Sequence, residues 1–238
     1  MTVDPAPDWF PIWSPDGRRV VFTSPRGTPP SLYQQDAGKP GNGDLLLKGT
    51  RVLHPGDWSS DGRFLVYAAL DAKTQWDLWI LPMDAGAAST DRKAMPFLQT
   101  DFNEHDAQFS PDRRWMAYAS DESGALEVYV RPFPRAAGGR WRISINGGTQ
   151  PRWQRDGREL FYVAPDGRLM AATITAAPTF DAGMPRALFK TRMAQVGTFG
   201  TNYAVAADGQ RFLISSITET PPPPSMTIVL NWPALVRR

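Results

Sequence analysis

A short pattern of polar turn and apolar strand recurs along the chain. Residues 13–24, Trp-Ser-Pro-Asp-Gly-Arg-Arg-Val-Val-Phe-Thr-Ser, place a tight polar turn before a run of apolar and β-branched residues. Proline presets φ for the second position of a type I turn, and glycine accepts the positive φ that lets a hairpin continue. Further copies begin at Trp58, Phe109, Trp153 and, more weakly, Val205. The pattern predicts a series of β-hairpins.

The repeat keeps both its period and its register. Its turn aspartates are 44–52 residues apart, a period typical of β-propeller blades. The turn positions are Asp16 with Gly17, Asp61 with Gly62, Asp112, Asp156 with Gly157, and Asp208 with Gly209. A bulky residue precedes each aspartate by three positions, and another follows it by six: Trp13 and Phe22, Trp58 and Tyr67, Phe109 and Tyr118, Trp153 and Tyr162, Val205 and Ile214. We expect these side chains to pack between neighbouring blades, where burial contributes about 1.5–3 kcal/mol each.

The repeat predicts an all-β propeller of about five four-stranded antiparallel blades, at 9–53, 54–100, 101–145, 147–191 and 200–232. In the third blade Arg113 occupies the glycine position, so either that turn differs or the arginine adopts a positive φ at a cost of about 1 kcal/mol. The fifth blade should have strands at 211–216 and 226–232, separated by a stiff proline run, and lacks an outer strand unless residues 1–4 supply one. We expect part of a larger propeller, of six or more blades, whose exposed edges associate.

Composition favours a single β-rich domain over residues 1–238. Hydrophobic residues make up 42% of the chain, and 23 prolines and 20 glycines disfavour long helices. A net charge of +2, carried by dispersed arginines, predicts no nucleic-acid partner. The chain has no cysteine, which excludes disulfides and thiolate chemistry and fits either redox compartment. It also lacks a signal-peptide pattern and an apolar run of membrane-spanning length, so we expect a soluble domain without direct membrane insertion.

Three copies of the repeat resemble a known family. The segments WSPDGRRVVFTS, FSPDRRWMAYAS and WQRDGRELFYVA are similar to the PD40 (WD40-like) repeats of TolB-like β-propellers. The order of DLWILPMD, GGTQPRWQRDGRELFYVAPDGRLMA, DGQRFL and the terminal IVLNWPALVRR resembles the C-terminal propeller of bacterial membrane-anchored serine/threonine protein kinases, over nearly the whole chain. This resemblance implies a sensor or interaction module, extracytoplasmic if it belongs to such a kinase and cytoplasmic otherwise.

The chain carries no motif of a common enzyme class. It has no Gly-x-Ser-x-Gly elbow, phosphate-binding loop, His-Glu-x-x-His helix or protein-kinase signature, and nothing in it calls for a cofactor. We therefore expect a non-enzymatic module that binds a protein, peptide or small ligand at one end of its channel. The alternatives are a glycosidase-type propeller hydrolase using carboxylates such as Asp57 and Asp106, an accessory propeller of a prolyl-oligopeptidase-like peptidase, and a structural spacer.

The two histidines mark the expected binding surface. His54 and His105 each lie seven residues before a turn aspartate, where the chain enters an innermost strand. Acidic residues surround these positions, so the candidate ligand-binding set is Asp8, His54, Asp57, Glu104, His105 and Asp106. Such groups suit a cation or a polar ligand, with affinity changing around pH 6–7, or are ordinary polar residues at a loop mouth. The turn aspartates are interpreted as turn formers and not as calcium ligands.

Overall fold

The computed structural model describes residues 2–83, 92–176, 179–193 and 200–216, which form five antiparallel sheets. The first contains β1 (Trp9–Trp13), β2 (Arg19–Ser24), β3 (Ser31–Asp36) and β4 (Asp44–Leu47). The second contains β5 (Leu53–Trp58), β6 (Phe64–Asp71), β7 (Gln75–Pro82) and β8 (Met95–Leu98). The third contains β9 (Glu104–Phe109), β10 (Trp115–Ser120), β11 (Glu127–Pro132) and β12 (Trp141–Arg142). Each of these sheets is a four-stranded meander whose strands follow the order of the chain.

The last two sheets are less regular. The fourth contains β13 (Thr149–Trp153), β14 (Glu159–Val163), β15 (Arg168–Thr175), β16 (Asp181–Ala182) and β17 (Arg186–Lys190). Its outer edge is split, because β16 and β17 pair with different parts of β15. The fifth sheet contains β18 (Tyr203–Val205) and β19 (Phe212–Ile214). The strand expected at 226–232, the proline run at 221–224 and the terminal LNW segment lie outside the described residues.

These sheets confirm the predicted all-β propeller blades, with one difference in the third sheet. The outer strand expected at 140–145 is limited to Trp141–Arg142. It ends because the Ser144 hydroxyl, and not a backbone carbonyl, accepts the N–H of Val128 at 2.7 Å. The described residues contain no helix, and so none that could cross a membrane.

An aspartate holds the turn after each innermost strand. In the first three turns a serine hydroxyl donates to the aspartate Oδ1 at 2.6–2.7 Å, in the pairs Ser14–Asp16, Ser59–Asp61 and Ser110–Asp112. In all five turns the aspartate Oδ1 accepts the backbone N–H two residues later, as for Asp16 and Arg18 at 3.1 Å. Arg113 takes the positive φ of the missing glycine, at 60°, so the third turn keeps the geometry of the others.

Neighbouring sheets pack through two faces that the repeat defines. We define the two faces of a sheet by their positions relative to the turn aspartate. The front face carries the residue three positions before this aspartate and the residues four and six positions after it. The back face carries the residues five and seven after it. Trp58, Leu65 and Tyr67 on the second front face pack against Val21 and Leu32 on the first back face. The next three interfaces repeat this arrangement, so four equivalent interfaces form most of the core.

The bulky residues before the turns do not all fill these interfaces. Trp58 and Phe109 are only 4% and 5% exposed, as predicted, and Trp153 is half-buried with its indole N–H donating to the Gln108 carbonyl at 3.3 Å. Trp13 is 61% exposed. The expectation that Trp13 packs between blades is therefore wrong for the described residues, because they place no sheet in front of the first one.

Trp58 and Trp13 form a matched pair for testing this packing. Trp58→Ala should lower the free energy of unfolding by about 3–5 kcal/mol, because it leaves a cavity between the first two sheets. Trp13→Ala should lower it by less than about 1 kcal/mol, because most of that side chain is in solvent. Urea unfolding of both variants at low protein concentration measures the difference, and equal losses would contradict the assignment of faces.

Candidate functional site

The innermost strands share an irregularity near the end where the histidines lie. Each of the innermost strands β1, β5, β9 and β13 has a register shift in its pairing with the strand that follows it. The shift lies at, or directly beside, the residue that is six positions before the turn aspartate. Phe10, Asp106 and Gln150 occupy that position with φ of 54°, 54° and 55°. Positive φ is uncommon for residues other than glycine, and a bulge re-aims the side chain it carries. The bulges therefore turn equivalent side chains of different sheets toward the centre of the molecule.

A pocket of about 330 Å³ lies between these bulges. The first three sheets contribute to its walls, and the segment that leads into β18 closes one side. A side chain on Gly200, which has φ +107°, would approach the Phe10 ring to 3.2 Å. The pocket is lined by Phe10, Pro11, Ile12, His54, Pro55, Gly56, Ala68, His105, Asp106, Gly200, Thr201 and Asn202. Three of the six predicted site residues, His54, His105 and Asp106, are thus brought together.

His54 is held between two aromatic rings. Its imidazole centroid lies 4.2 Å from that of Phe10 and 4.4 Å from that of Trp76. Burial lowers the pKa of His54 to about 4, although the charge of Asp106 opposes the shift. His54 is therefore neutral at physiological pH, so this histidine does not supply the change in affinity expected around pH 6–7. It offers the pocket a flat, uncharged surface with hydrogen-bonding nitrogens.

His105 and Asp106 form the polar wall of the pocket. His105 Nδ1 lies 3.1 Å from Asp106 Oδ2, and both side chains are less than 10% exposed. Asp106 Oδ1 accepts the backbone N–H of Gly200 at 3.2 Å, which links the third sheet to the start of the fifth. Burial by itself would raise the pKa of Asp106, but His105, this N–H and Arg152 together lower it. Asp106 is consequently a carboxylate that its surroundings keep charged.

Arg152 is a central residue that sequence reasoning missed. Its guanidinium donates to the Thr201 hydroxyl and, at 2.8 Å, to the Pro151 carbonyl, and its charge lowers the pKa values of Asp57 and Asp106. Arg152 lies four residues before Asp156, as Asp57 lies four before Asp61. The repeat register could therefore have indicated it.

Asp57 does not line this pocket. Its Oδ2 accepts the N–H of Phe109 at 3.0 Å, which ties the second innermost strand to the third. Burial raises the pKa of Asp57 to about 6, against the opposing effects of this N–H and of Arg152. The carboxyl group thus titrates closer to neutrality than an exposed aspartate.

The other two predicted acids lie elsewhere. Asp8 lines a separate cavity of about 380 Å³ beside Trp13 and Phe22, and its Oδ1 lies 3.5 Å from Nη2 of Arg26. Glu104 is 1% exposed and accepts the Thr100 hydroxyl. Burial above all, together with the charge of the fully buried Asp77, raises the pKa of Glu104 to about 8 against the opposing effect of the Thr100 hydrogen bond. The structure therefore divides the predicted cluster into four environments: the pocket, and the separate surroundings of Asp57, Asp8 and Glu104.

The described part of the chain shows no metal centre at the pocket. Over residues 2–83, 92–176, 179–193 and 200–216, no group of three or more histidine, aspartate or glutamate side chains is arranged to hold a metal ion. A cavity of about 490 Å³ lies at the first two turns, between Asp16, Arg19, Asp61 and Arg63. Its aspartates are already engaged by the turn hydrogen bonds. The pocket with the two histidines thus remains the strongest candidate site.

Comparison with known proteins supports the fold and leaves the function open. No family model matches the chain, and no curated protein matches it in sequence. Among solved structures, it is similar to a protein assigned as TolB from Agrobacterium tumefaciens, with a TM-score of 0.61 and 16% identity over 76% of this chain and 65% of that one. It is also similar to TolB from Acinetobacter baumannii, with a TM-score of 0.56 and 18% identity over 89% and 55% of the two chains.

A third similar structure is assigned as a 6-phosphogluconolactonase from Bacteroides uniformis, with a TM-score of 0.54 and 14% identity over 84% of this chain and 61% of that one. The chain spans 55–65% of the length of these three structures. The protein therefore has the fold of part of a TolB-like β-propeller. At these identities the likeness concerns the fold alone.

Glu104 predicts how stability changes with pH. Its pKa rises from an ordinary 4.5 to about 8 on folding, so its contribution to stability is complete below pH 4.5 and is lost as the pH rises to 8. Glu104→Gln removes this penalty and keeps an acceptor for Thr100. The variant should exceed the wild type in free energy of unfolding by about 2–4 kcal/mol at pH 9 and match it within about 1 kcal/mol at pH 4.

Urea unfolding at pH 4, 7 and 9 measures this effect. Asp44→Asn, at an exposed carboxylate, controls for the loss of one negative charge and should follow the wild type at each pH. If Glu104→Gln and the wild type lose stability in parallel above pH 5, the carboxyl group is not protonated in the folded protein.

Proposed function

We propose that the protein is a non-enzymatic binding module that holds a protein segment, a peptide or a small molecule in the pocket between its innermost strands. The observation that carries the proposal is the convergence of His54, His105 and Asp106, from two adjacent sheets, with the segment leading into the fifth. Clefts where several elements of a rigid scaffold meet are the usual place for a ligand.

The pocket has two chemically different sides. Phe10, Pro11 and Ile12 supply apolar surface, while His105 and Asp106 supply fixed polar groups. Its volume of about 330 Å³ is near the lower end of the range for small-molecule sites. These features favour a compact ligand, or the end of a peptide, with an apolar part and a hydrogen-bonding polar group.

The same proposal assigns the module to a larger bacterial signalling protein, in which it acts as a sensor. Support comes from the resemblance to the propellers of membrane-anchored serine/threonine kinases and from the length of the similar TolB structures, of which this chain spans 55–65%. A kinase domain and a membrane span encoded in frame upstream would support this assignment. A stand-alone gene with a secretion signal would contradict it.

One observation favours a propeller hydrolase as the second candidate. The pKa of Asp57 is raised to about 6 while that of Asp106 is lowered, and carboxyls with separated pKa values can act as acid and base. The similar structure assigned as a 6-phosphogluconolactonase supports this candidate at the level of the fold. However, Asp57 is bonded to the Phe109 N–H and does not line the pocket. The accessory-peptidase alternative has similar support, from a solved puromycin-hydrolyzing peptidase of Mycobacterium tuberculosis with a TM-score of 0.53 and 15% identity over 78% of this chain and 31% of that one. The spacer alternative has no comparable observation in its favour.

A blocked variant tests the binding proposal. Thr201 is an exposed residue of the pocket, so Thr201→Trp should fill the mouth without disturbing the core. Thr50→Trp, at an exposed threonine outside the pocket, is the matched control. A library of short peptides and fragments, screened by ligand-observed NMR, should yield ligands that bind the wild type and Thr50→Trp and lose at least about tenfold in affinity for Thr201→Trp.

Two outcomes would count against this function. Ligands that bind all three proteins equally would place binding elsewhere, and a library without any ligand would favour a spacer. Hydrolysis of chromogenic glycosides or lactones, abolished by Asp57→Asn and retained by Asp44→Asn, would instead establish the hydrolase.

A further inference from the structure

The residues that line the pocket between the innermost strands include one permanent charge. Of the twelve lining residues, only His54, His105 and Asp106 can ionise. His54 is neutral at physiological pH, because burial lowers its pKa to about 4. Asp106 stays a carboxylate, whereas His105 is charged only when it is protonated. A ligand therefore meets a negative group in the wall and no permanently positive one among the lining residues.

Asp106 has acceptor capacity that the described residues leave unused. Its side chain is 7% exposed, and its Oδ1 accepts the N–H of Gly200 at 3.2 Å. Its Oδ2 lies 3.1 Å from Nδ1 of His105 but accepts no hydrogen bond of good geometry from the described part of the chain. An ionised carboxylate can accept about four hydrogen bonds, and burying its charge is costly unless donors and an opposite charge surround it. Oδ2 is thus an open acceptor in the pocket wall.

The centre of the innermost strands is short of positive charge. Against the effect of burial, Arg152 lowers the pKa values of both Asp57 and Asp106, so one guanidinium acts on two carboxyl groups. Burial raises the pKa of Asp57 to about 6, which leaves most of this group ionised at pH 7. Arg152 also contributes less to the charged state of Asp106 than His105 or the Gly200 N–H does. A further cation beside Asp106 would therefore be stabilised.

The rest of the pocket is apolar around this carboxylate. The first innermost strand contributes Phe10, Pro11 and Ile12, and the second sheet contributes Pro55 and Ala68. Such surface suits hydrocarbon and disfavours a hydrated inorganic ion, whose water shell it cannot replace. The volume of about 330 Å³ leaves room for a small apolar group beside the charged one. The pocket thus combines the recognition of a cationic donor with that of a compact hydrocarbon group.

We propose that the pocket binds a primary ammonium group with a compact apolar substituent, and that the ammonium donates to Oδ2 of Asp106. The inference rests on the binding function proposed above and specifies its class of ligand. A primary ammonium has three N–H donors, supplies one positive charge and forms charge-assisted hydrogen bonds to a carboxylate. Its substituent packs against Phe10, Pro11 and Ile12. A free amine and the N-terminus of a peptide with an apolar first residue share this chemistry.

Three matched probes isolate the ammonium group, and a fourth separates the two sources. Phenethylamine is the reference, 2-phenylethanol replaces its ammonium by a hydroxyl, and phenethyltrimethylammonium keeps the charge without any N–H donor. In calorimetric or NMR titrations at pH 7, the wild type should bind phenethylamine at least about tenfold more tightly than either analogue. Leucyl-glycyl-glycine should bind about tenfold more tightly than phenethylamine if the ligand is a peptide N-terminus, and no more tightly if it is a free amine.

Asp106→Asn tests the carboxylate directly. The variant keeps an acceptor for the Gly200 N–H and removes the charge. It should weaken phenethylamine binding at least about tenfold and leave 2-phenylethanol within about twofold. Asp44→Asn removes an exposed carboxylate outside the pocket and should bind both probes like the wild type. Circular dichroism and thermal unfolding establish that each variant is folded.

A second pair of variants avoids the buried carboxylate. Thr201 is an exposed residue of the pocket, so Thr201→Lys adds a positive charge at the mouth, and Thr201→Met adds a neutral side chain of similar length. Relative to Thr201→Met, Thr201→Lys should weaken phenethylamine binding at least about fivefold and leave 2-phenylethanol unchanged. This comparison decides the question even if Asp106→Asn does not fold.

The outcomes distinguish this inference from the binding function on which it rests. If 2-phenylethanol or the trimethyl analogue binds as tightly as phenethylamine, and Thr201→Trp abolishes both, the pocket is a binding site but not an ammonium site. Equal affinity of the wild type and Asp106→Asn for phenethylamine, or of the two Thr201 variants, would also overturn the inference. If none of the probes and none of the library ligands is sensitive to Thr201→Trp, both proposals are wrong.

Discussion

The hydrogen bonds of the turn aspartates are the constraint on which the structure depends. Each fixes the turn after an innermost strand and so fixes the register of two strands relative to one another. Side chains alternate between the two faces of a strand, so a slip of one residue would exchange the front and back faces. The same bond therefore decides which apolar side chains meet the neighbouring sheet and which positions reach the centre. Arg113 shows the strength of this constraint, since it adopts φ 60° in place of glycine.

Most of the fold could be predicted from the sequence because its determinants are local. The spacing of the turns, and the alternation of apolar and polar residues on either side of them, predicted the sheets and nearly all of their strands. Trp13 could not be predicted, because its register is identical to that of Trp58 and only the presence of a preceding sheet distinguishes them. The pocket was predictable in part: His54 and His105 share a register position, whereas the bulges that turn Phe10 and Asp106 inward have no signature in the sequence.

The acids of the predicted cluster show why residue type alone does not define a site. Asp106 is kept charged by His105 and Arg152, Asp57 has its pKa raised to about 6, and that of Glu104 is raised to about 8. All three lie in or between the second and third innermost strands, yet their surroundings give them different protonation behaviour. Only Asp106 combines a charged state at neutral pH with a place in the pocket wall. The sequence could not reveal this division, because burial and the position of Arg152 decide it.

The contact between Asp106 and Gly200 has a mechanical consequence. It joins the third sheet directly to the segment entering the fifth, and Gly200 also approaches Phe10 of the first. The pocket is thus bordered both by the first sheet and by the segment that enters the fifth. A molecule bound in the pocket would contact both parts and would oppose their separation. Binding in the pocket would then reduce the motion of the first sheet relative to the fifth, even at their outer strands.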